Sequence, residues 1–363
     1  MSFSINRRRF IQSTSAIAAG AMACNVGRAV AQSSGELKVA LNGGDYGNAC
    51  IQVYVKPFEA ETGIKVTPIT DGVTPAALEL MVSTNTVSVD VIPVDPDTDA
   101  RVPETGYLEK IDYSLYKKDE LDAILDFTRS PYSVGSIVYA YCMVYSTERF
   151  PADKPRPASW SEFWDVSKYP GVRTLCAEVP PLEEALLADG VPADAIYPMN
   201  IDRAFASLDK IKPHIRKWWR SGSEIEQLMQ DKVVDLAQSF DGGANALIDN
   251  GAPLEINWNQ AKLTWESWAI PKGSPNVRNA QRFIEFITRA DRQAAFAQIM
   301  PYGPANRNAY KHLPEALQRK LASHPDHVAS SIATNPKWYA EVGSDGLANA
   351  ERIRQRWNEW ILQ

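Results

Sequence analysis

The sequence predicts an α/β protein of two lobes, the first of them built on a mostly parallel sheet with helices on its faces. Three observations predict it. Strand-like and helix-like segments alternate β-α-β-α-β over residues 36–97. The chain, at 363 residues, is long for a single ordinary core. A long apolar and aromatic run, Val134 to Tyr145, suits a buried strand crossing from one lobe to the other.

The first residues read as an address. Asn6-Arg7-Arg8-Arg9-Phe10-Ile11-Gln12 precedes a small-residue apolar stretch from Ser13 to Ala23, and Ala29-Val30-Ala31 follows. Paired arginines before x-Phe-Ile match a twin-arginine export signal, and Ala-x-Ala a signal-peptidase site. Residues 1–31 are therefore expected to be removed by export into the periplasm; the alternative is a fraying N-terminal helix of a cytoplasmic protein. The apolar stretch is far short of the roughly 20 residues that cross a bilayer. Losing residues 1–31 removes four arginines and no acid, taking the formal charge from −6 to about −10. An acidic chain is a poor partner for nucleic acid and is compatible with a cationic or zwitterionic ligand. Cys50, Cys142 and Cys176 then remain, spaced for neither zinc nor a Cys-x-x-Cys redox pair, and are expected as buried thiols. No cofactor or metal site is legible, and the expected state is a monomer.

Glu36 to Leu41 reads as the first strand, turning through Asn42-Gly43-Gly44-Asp45-Tyr46 into a helix over about 49–62. Ile51, Tyr54, Val55 and Phe58 recur at helical spacing there, and Gly63 is the expected C-cap. A second strand spans Ile64 to Ile69, a helix runs from Thr74-Pro75 to about Ser83, and Val89 to Val94 makes the third strand. Ligands of such sheets bind beyond the carboxyl ends of strands. Asp45, Tyr46, Asp71, Asp95 and Asp97 lie in those loops, though Asp95 and Asp97 also suit simple turn initiation. Further on, Ser159 is placed to N-cap a helix with Glu162 at its third position. Residues 217–222, 237–243 and 257–268 are strand-like or loop-like and rich in aromatics, and helices are expected at 277–291 and 292–299.

The order of several motifs resembles the extracellular solute-binding proteins of polyamine-type (spermidine/putrescine) ABC importers. Phe58-Glu59-Ala60-Glu61-Thr62-Gly63-Ile64-Lys65-Val66 looks like the family's F-x-x-E-T-G-I-K-V, and Val89-Asp90-Val91-Ile92 like its Y-D-V-x-V-P-S strand. Ser159-Trp160-Ser161-Glu162-Phe163-Trp164, then Tyr169-Pro170-Gly171, resembles S-W-x-D-L-W … Y-K-G. Ser267-Trp268-Ala269-Ile270-Pro271-Lys272-Gly273 resembles S-x-A-I-P-K-G, and Tyr302-Gly303-Pro304-Ala305-Asn306 resembles G-Y-x-P-x-N. The resemblance implies a type II periplasmic-binding-protein fold, each lobe a mostly parallel sheet flanked by helices with the ligand cleft between them, whose lobes close on a solute and hand it to permease subunits, with no enzymatic activity. It implies lobes of about 32–142 plus 272–310 and 143–271 plus 311–363.

The family holds amines between aromatic faces and acids. On the matching positions Glu266 is the implied acid, Tyr302 the cleft tyrosine, Trp338-Tyr339 the late cleft position, and Phe240 and Asp241 stand where Trp-Asn is frequent. Cation–π contact and charge-assisted hydrogen bonds make this coherent. The chain departs from the polyamine pattern at Cys176-Ala177-Glu178-Val179-Pro180-Pro181-Leu182, where many members carry carboxylates. Trp219-Arg220 adds a guanidinium whose planar fork suits a ligand carboxylate. The expected ligand is therefore an ω-amino acid like γ-aminobutyrate, or else a polyamine. Arg220 would take the carboxylate, Asp241 and/or Glu266 the ammonium, and Trp219, Trp265 and Tyr302 the methylene stem, with Asp45 and Tyr46 beside them. The plainer readings are a surface pair for Arg220 and core positions for Trp219 and Trp268. The rival functions are a ferric-ion or inorganic-anion binding protein of the same fold and an exported hydrolase. His324-Pro325-Asp326-His327 could be a metal pair, but an exposed proline-containing turn explains it better.

Overall fold

The computed structural model describes residues 36–363, so the expected export signal lies outside the described residues. Strand β1 (Glu36–Ala40) buries Leu37, Val39 and Ala40 and exposes Glu36 and Lys38. The chain is then helical from Gly44 to Thr62, with one π-helical turn at Ile51–Val55. Gly63 ends it in the left-handed region at φ 70°, its N–H donating to the Glu59 carbonyl, as a glycine C-cap does. Strand β2 (Lys65–Ile69) pairs parallel with β1. The helix Pro75–Ser83 starts on the Thr74 hydroxyl, which accepts the Ala77 N–H. The third strand is shorter than the sequence suggests: β3 is Ile92–Val94. Before it, Val91 bridges Val39, and Asp90 turns its carboxylate onto the Lys38 N–H and the Ser274 hydroxyl.

Two long strands organise the rest. β4 (Ser133–Ser146) pairs antiparallel with β8 (Leu254–Ala269) along its whole length, with register shifts near Gly135 and Cys142. Gly135 is required at the first shift, where a Cβ would meet Thr128 at 2.5 Å. One end of the pair continues into β3 on the β8 side and β9 (Gly303–Pro304) on the β4 side. The other end continues through β7 (Leu236–Phe240) to β5 (Arg173–Cys176) and β6 (Ile215–Trp219), with β10 (Ile332–Ala333) beside β8. Parallel pairing is thus found at β1–β2, β5–β6, β5–β7 and β8–β10, while the shared central pair is antiparallel.

A core flanks each end of that pair. Tyr54, Phe58, Trp268, Phe283 and Phe286 pack with β1 at one end. Trp160, Phe163, Leu186, Phe205, Trp357 and Trp360 pack at the other. The two late helices are Val277–Ile287 and Ala290–Ile299, separated where Arg289 takes an extended conformation. Ser159 caps its helix as expected, while the Glu162 carboxylate reaches one residue further back, to the Ala158 N–H. Cys50, Cys142 and Cys176 are free and buried. Among the described residues no helix is long and apolar enough to cross a membrane.

Candidate functional site

Strand parity builds the floor of the site. On β8, Lys262, Thr264 and Glu266 share one face; on β4, Tyr139 and Tyr141 do. The register sets Tyr139 opposite Thr264 and Tyr141 opposite Lys262, so these side chains stand on a common face. Tyr139, Tyr141, Lys262 and Thr264 line a cavity of about 600 Å³. Its walls add Asp95 and Asp97 from one half, Glu178, Glu183 and Arg220 from the other, and Tyr339 from the C-terminal segment.

A series of rings runs on from the Tyr139 and Tyr141 that line this cavity to Tyr302, Tyr46 and Glu266 beside it. Tyr46 and Tyr302 have centroids 6.3 Å apart, Tyr302 and Tyr139 6.5 Å, Tyr139 and Phe240 6.2 Å, and Phe240 and Tyr141 4.7 Å. The Tyr46 hydroxyl donates to Glu266 Oε1 at 2.7 Å. Burial pushes the Glu266 carboxyl above its usual range, with Asp95 adding repulsion, against the bonds from Tyr46 and Asn42. Asp97, open to solvent yet crowded by protein, is pushed up to about 6 by desolvation first, then by Asp95 and Glu183; Arg101 pulls the other way as the smallest contribution. Asp95 also caps the short helix Pro96–Ala100 by accepting the Thr98 N–H. Asp95 thus repels both Asp97 and Glu266, and carboxylates so arranged beside tyrosine rings are poised for a cation: a bound ammonium relieves the repulsion and gains charge-assisted hydrogen bonds.

The other sequence-derived residues divide. Phe240 and Tyr302 are half-buried members of the ring series. Asp45 is exposed in the first turn after Gly43, next to Tyr46. Arg220 is exposed, lines the cavity and pairs with Glu178 at 3.2 Å. Tyr339 lines the cavity and donates to Glu183 at 2.7 Å. Three expected contacts require correction. Trp265 is buried among Phe127, Leu263 and their neighbours on the face of β8 opposite Glu266, because adjacent strand residues point to opposite sides. Trp219 is 1% exposed, and its indole N–H donates to the Gln238 carbonyl, so it is core. Asp241 is fully buried and accepts the Ala140 N–H at 2.9 Å; it braces β4 rather than facing the cavity, and burial pushes its carboxyl up to about 7.

Sequence reasoning missed a buried ionic set beside the floor. Lys262 Nζ lies 3.2 Å from Glu183 and 3.3 Å from Glu184. Glu183 also accepts the hydroxyls of Tyr197 and Tyr339, both at 2.7 Å, and Glu184 accepts the Gln238 amide at 2.6 Å. Burial opposes the charge on Glu183, but Lys262 and the two tyrosines hold its carboxyl below the usual range, whereas burial keeps Glu184 above it. These acids directly follow the segment Cys176 to Leu182, where the chain departs from the family pattern, and open the helix Leu182–Ala188. The signal that would have found Lys262 is its even spacing from Glu266 on a strand.

The family described as bacterial extracellular solute-binding protein matches residues 53–325. The chain is 31% identical over 318 residues to the γ-aminobutyric acid-binding protein of Pseudomonas aeruginosa, covering 86% of this chain and 87% of that one. It is 24% identical over 302 residues to the spermidine/putrescine-binding periplasmic protein of Escherichia coli K12, covering 80% and 85%. A GABA receptor of solved structure aligns with a TM-score of 0.77 at 32% identity, over 90% of this chain and 97% of that one.

Proposed function

This chain belongs to the bacterial extracellular solute-binding proteins, and on that premise we propose that its cleft captures an ω-amino acid of the γ-aminobutyrate type. It is the solute-binding component of an ABC transporter and not an enzyme. The observation that carries the ligand reading is the group of Asp95, Asp97 and Glu266, each pressing on another's charge, beside the rings of Tyr46, Tyr139 and Tyr302. The ligand ammonium sits among those acids. Its carboxylate goes to Arg220, whose partner Glu178 is an exposed and easily exchanged one. The methylene stem lies on tyrosine faces rather than on Trp219 or Trp265. A solute touching both halves at once favours their closure, because the full set of contacts exists only in the closed form.

Isothermal titration with γ-aminobutyrate and with putrescine tests this. Binding of γ-aminobutyrate in preference to putrescine is expected, and tight putrescine binding with no γ-aminobutyrate binding ends the proposal. A polyamine ligand is the second reading, favoured by the number of acids around the cavity. The same proposal has the mature chain begin after Ala31, leave by the twin-arginine machinery and work in the periplasm as a monomer beside its permease. Its lobes are 32–142 plus 272–310 and 143–271 plus 311–363, with β4 crossing between them and the chain returning just beyond β8. Intact mass and light scattering of the secreted protein check this: a mass retaining residues 1–31, or a stable dimer, counts against it.

A further inference from the structure

Lys262 is placed as a bound amine would be. Its ammonium lies between two carboxylates, 3.2 Å from Glu183 and 3.3 Å from Glu184, and 5.1 Å from the centroid of the Tyr141 ring. Its side chain is 3% exposed, and those of Glu183 and Glu184 are 1% and 0% exposed. Acids plus a tyrosine face are the same chemistry that Asp97, Glu266 and Tyr139 offer next door. Lys262, Glu183 and Tyr141 also line the same cavity as Asp97 and Tyr139. Tyr139 and Tyr141 are two residues apart on β4, roughly 6.6 Å along the strand, comparable to the reach of a four-carbon diamine. A lysine side chain is itself four methylenes and an ammonium. Burial alone would discharge it, but Glu183 and Glu184 outweigh burial and hold its pKa above the ordinary lysine value.

We propose that Lys262 is a tethered ammonium occupying a second cation subsite, and that it thereby restricts the cleft to ligands carrying one ammonium. With the Lys262 subsite filled from within, a diamine finds one acid group for its first nitrogen and a like charge where its second would go. An ω-amino acid meets no such conflict. Lys262 is in this sense a specificity-determining residue, and Glu183 and Glu184 are the carboxylates of the subsite it fills. The inference rests on reading the neighbouring acids as the ammonium site.

The test is Lys262→Ala, titrated with putrescine and γ-aminobutyrate and melted with and without each, alongside the unaltered protein. The truncation leaves Glu183 and Glu184 without their cation and opens the volume of the stem. The expected result is a gain of at least about tenfold in putrescine affinity relative to the unaltered protein, with putrescine raising the melting temperature of the variant. A merely structural ion pair would not produce gained diamine binding. A folded variant with no gain for putrescine overturns the inference. Should Lys262→Ala not fold alone, the double variant Lys262→Ala/Glu184→Gln leaves one buried carboxylate for one incoming ammonium and carries the same comparison. If excess putrescine restores folding to neither variant, the inference is likewise overturned, since the diamine then fails to replace the lost ammonium. Failure of the broader ligand reading looks different: there the unaltered protein itself does not bind γ-aminobutyrate, whatever Lys262→Ala does.

Discussion

Glu266→Gln separates a binding acid from a structural one. Glutamine keeps the shape and still accepts the Tyr46 hydroxyl, the 2.7 Å bond that Glu266 makes. What it removes is a charge that the folded protein disfavours. The Glu266 carboxyl is held above its usual range by burial and by Asp95, so the folded chain releases that proton less readily than the unfolded chain. For a carboxyl raised on folding, stability falls as pH rises from the unfolded value through the folded one, and the deficit persists at neutral pH. Glu266→Gln is therefore expected to melt at pH 7 at the same temperature as the unaltered protein or slightly higher. Binding moves the other way. A hydrogen bond to a charged group contributes roughly 1.5–3 kcal/mol, so γ-aminobutyrate should bind about 10- to 150-fold more weakly. Paired isothermal titration and thermal unfolding read both effects on one preparation. Unchanged affinity refutes the reasoning, and so does weakened affinity accompanied by a large drop in melting temperature, which would mark Glu266 as a structural residue.

Desolvation first, then Asp95 and Glu183, push the Asp97 carboxyl up to about 6, so γ-aminobutyrate affinity should fall as pH drops from 7 to 5, because protonated Asp97 no longer attracts the ligand ammonium. In Asp97→Asn the inflection near 6 should vanish from titrations across that range. Arg220→Ala breaks an exposed pair worth about 0–1 kcal/mol, so the melting temperature should barely move; γ-aminobutyrate should weaken at least about tenfold and putrescine not at all. Trp265→Ala should cost roughly 3–5 kcal/mol of stability in denaturant unfolding, while the folded fraction keeps its ligand affinity, because the indole faces away from the cavity.

The strands and caps of the first hundred residues were legible because their signals are local. Leu37 and Val39 alternate with exposed Glu36 and Lys38, Gly63 stops a helix by its own conformation, and Thr74, like Ser159 further along the chain, carries its capping oxygen with it. The cleft was legible only in part. Glu266 and Tyr302 followed from motif order, but Trp265 was assigned to the same cleft as its neighbour, which the period of a strand forbids. Trp219 and Asp241 sit in the right segments with the wrong depth, and depth depends on what packs from elsewhere, here Gln238 and the backbone of Ala140. Glu183 and Glu184 escaped notice because two adjacent glutamates opening a helix read as a solvated first turn. Only the fold brings Lys262, Tyr197 and Tyr339 against them, from 14 to 156 residues away.

A crystal structure of the complex with γ-aminobutyrate tests the central claim most directly. The ligand nitrogen is predicted within hydrogen-bonding distance of Asp95, Asp97 or Glu266 with a tyrosine ring beside it, and the carboxylate near Arg220. A ligand bound in the reverse sense, or held away from all three acids, would contradict it.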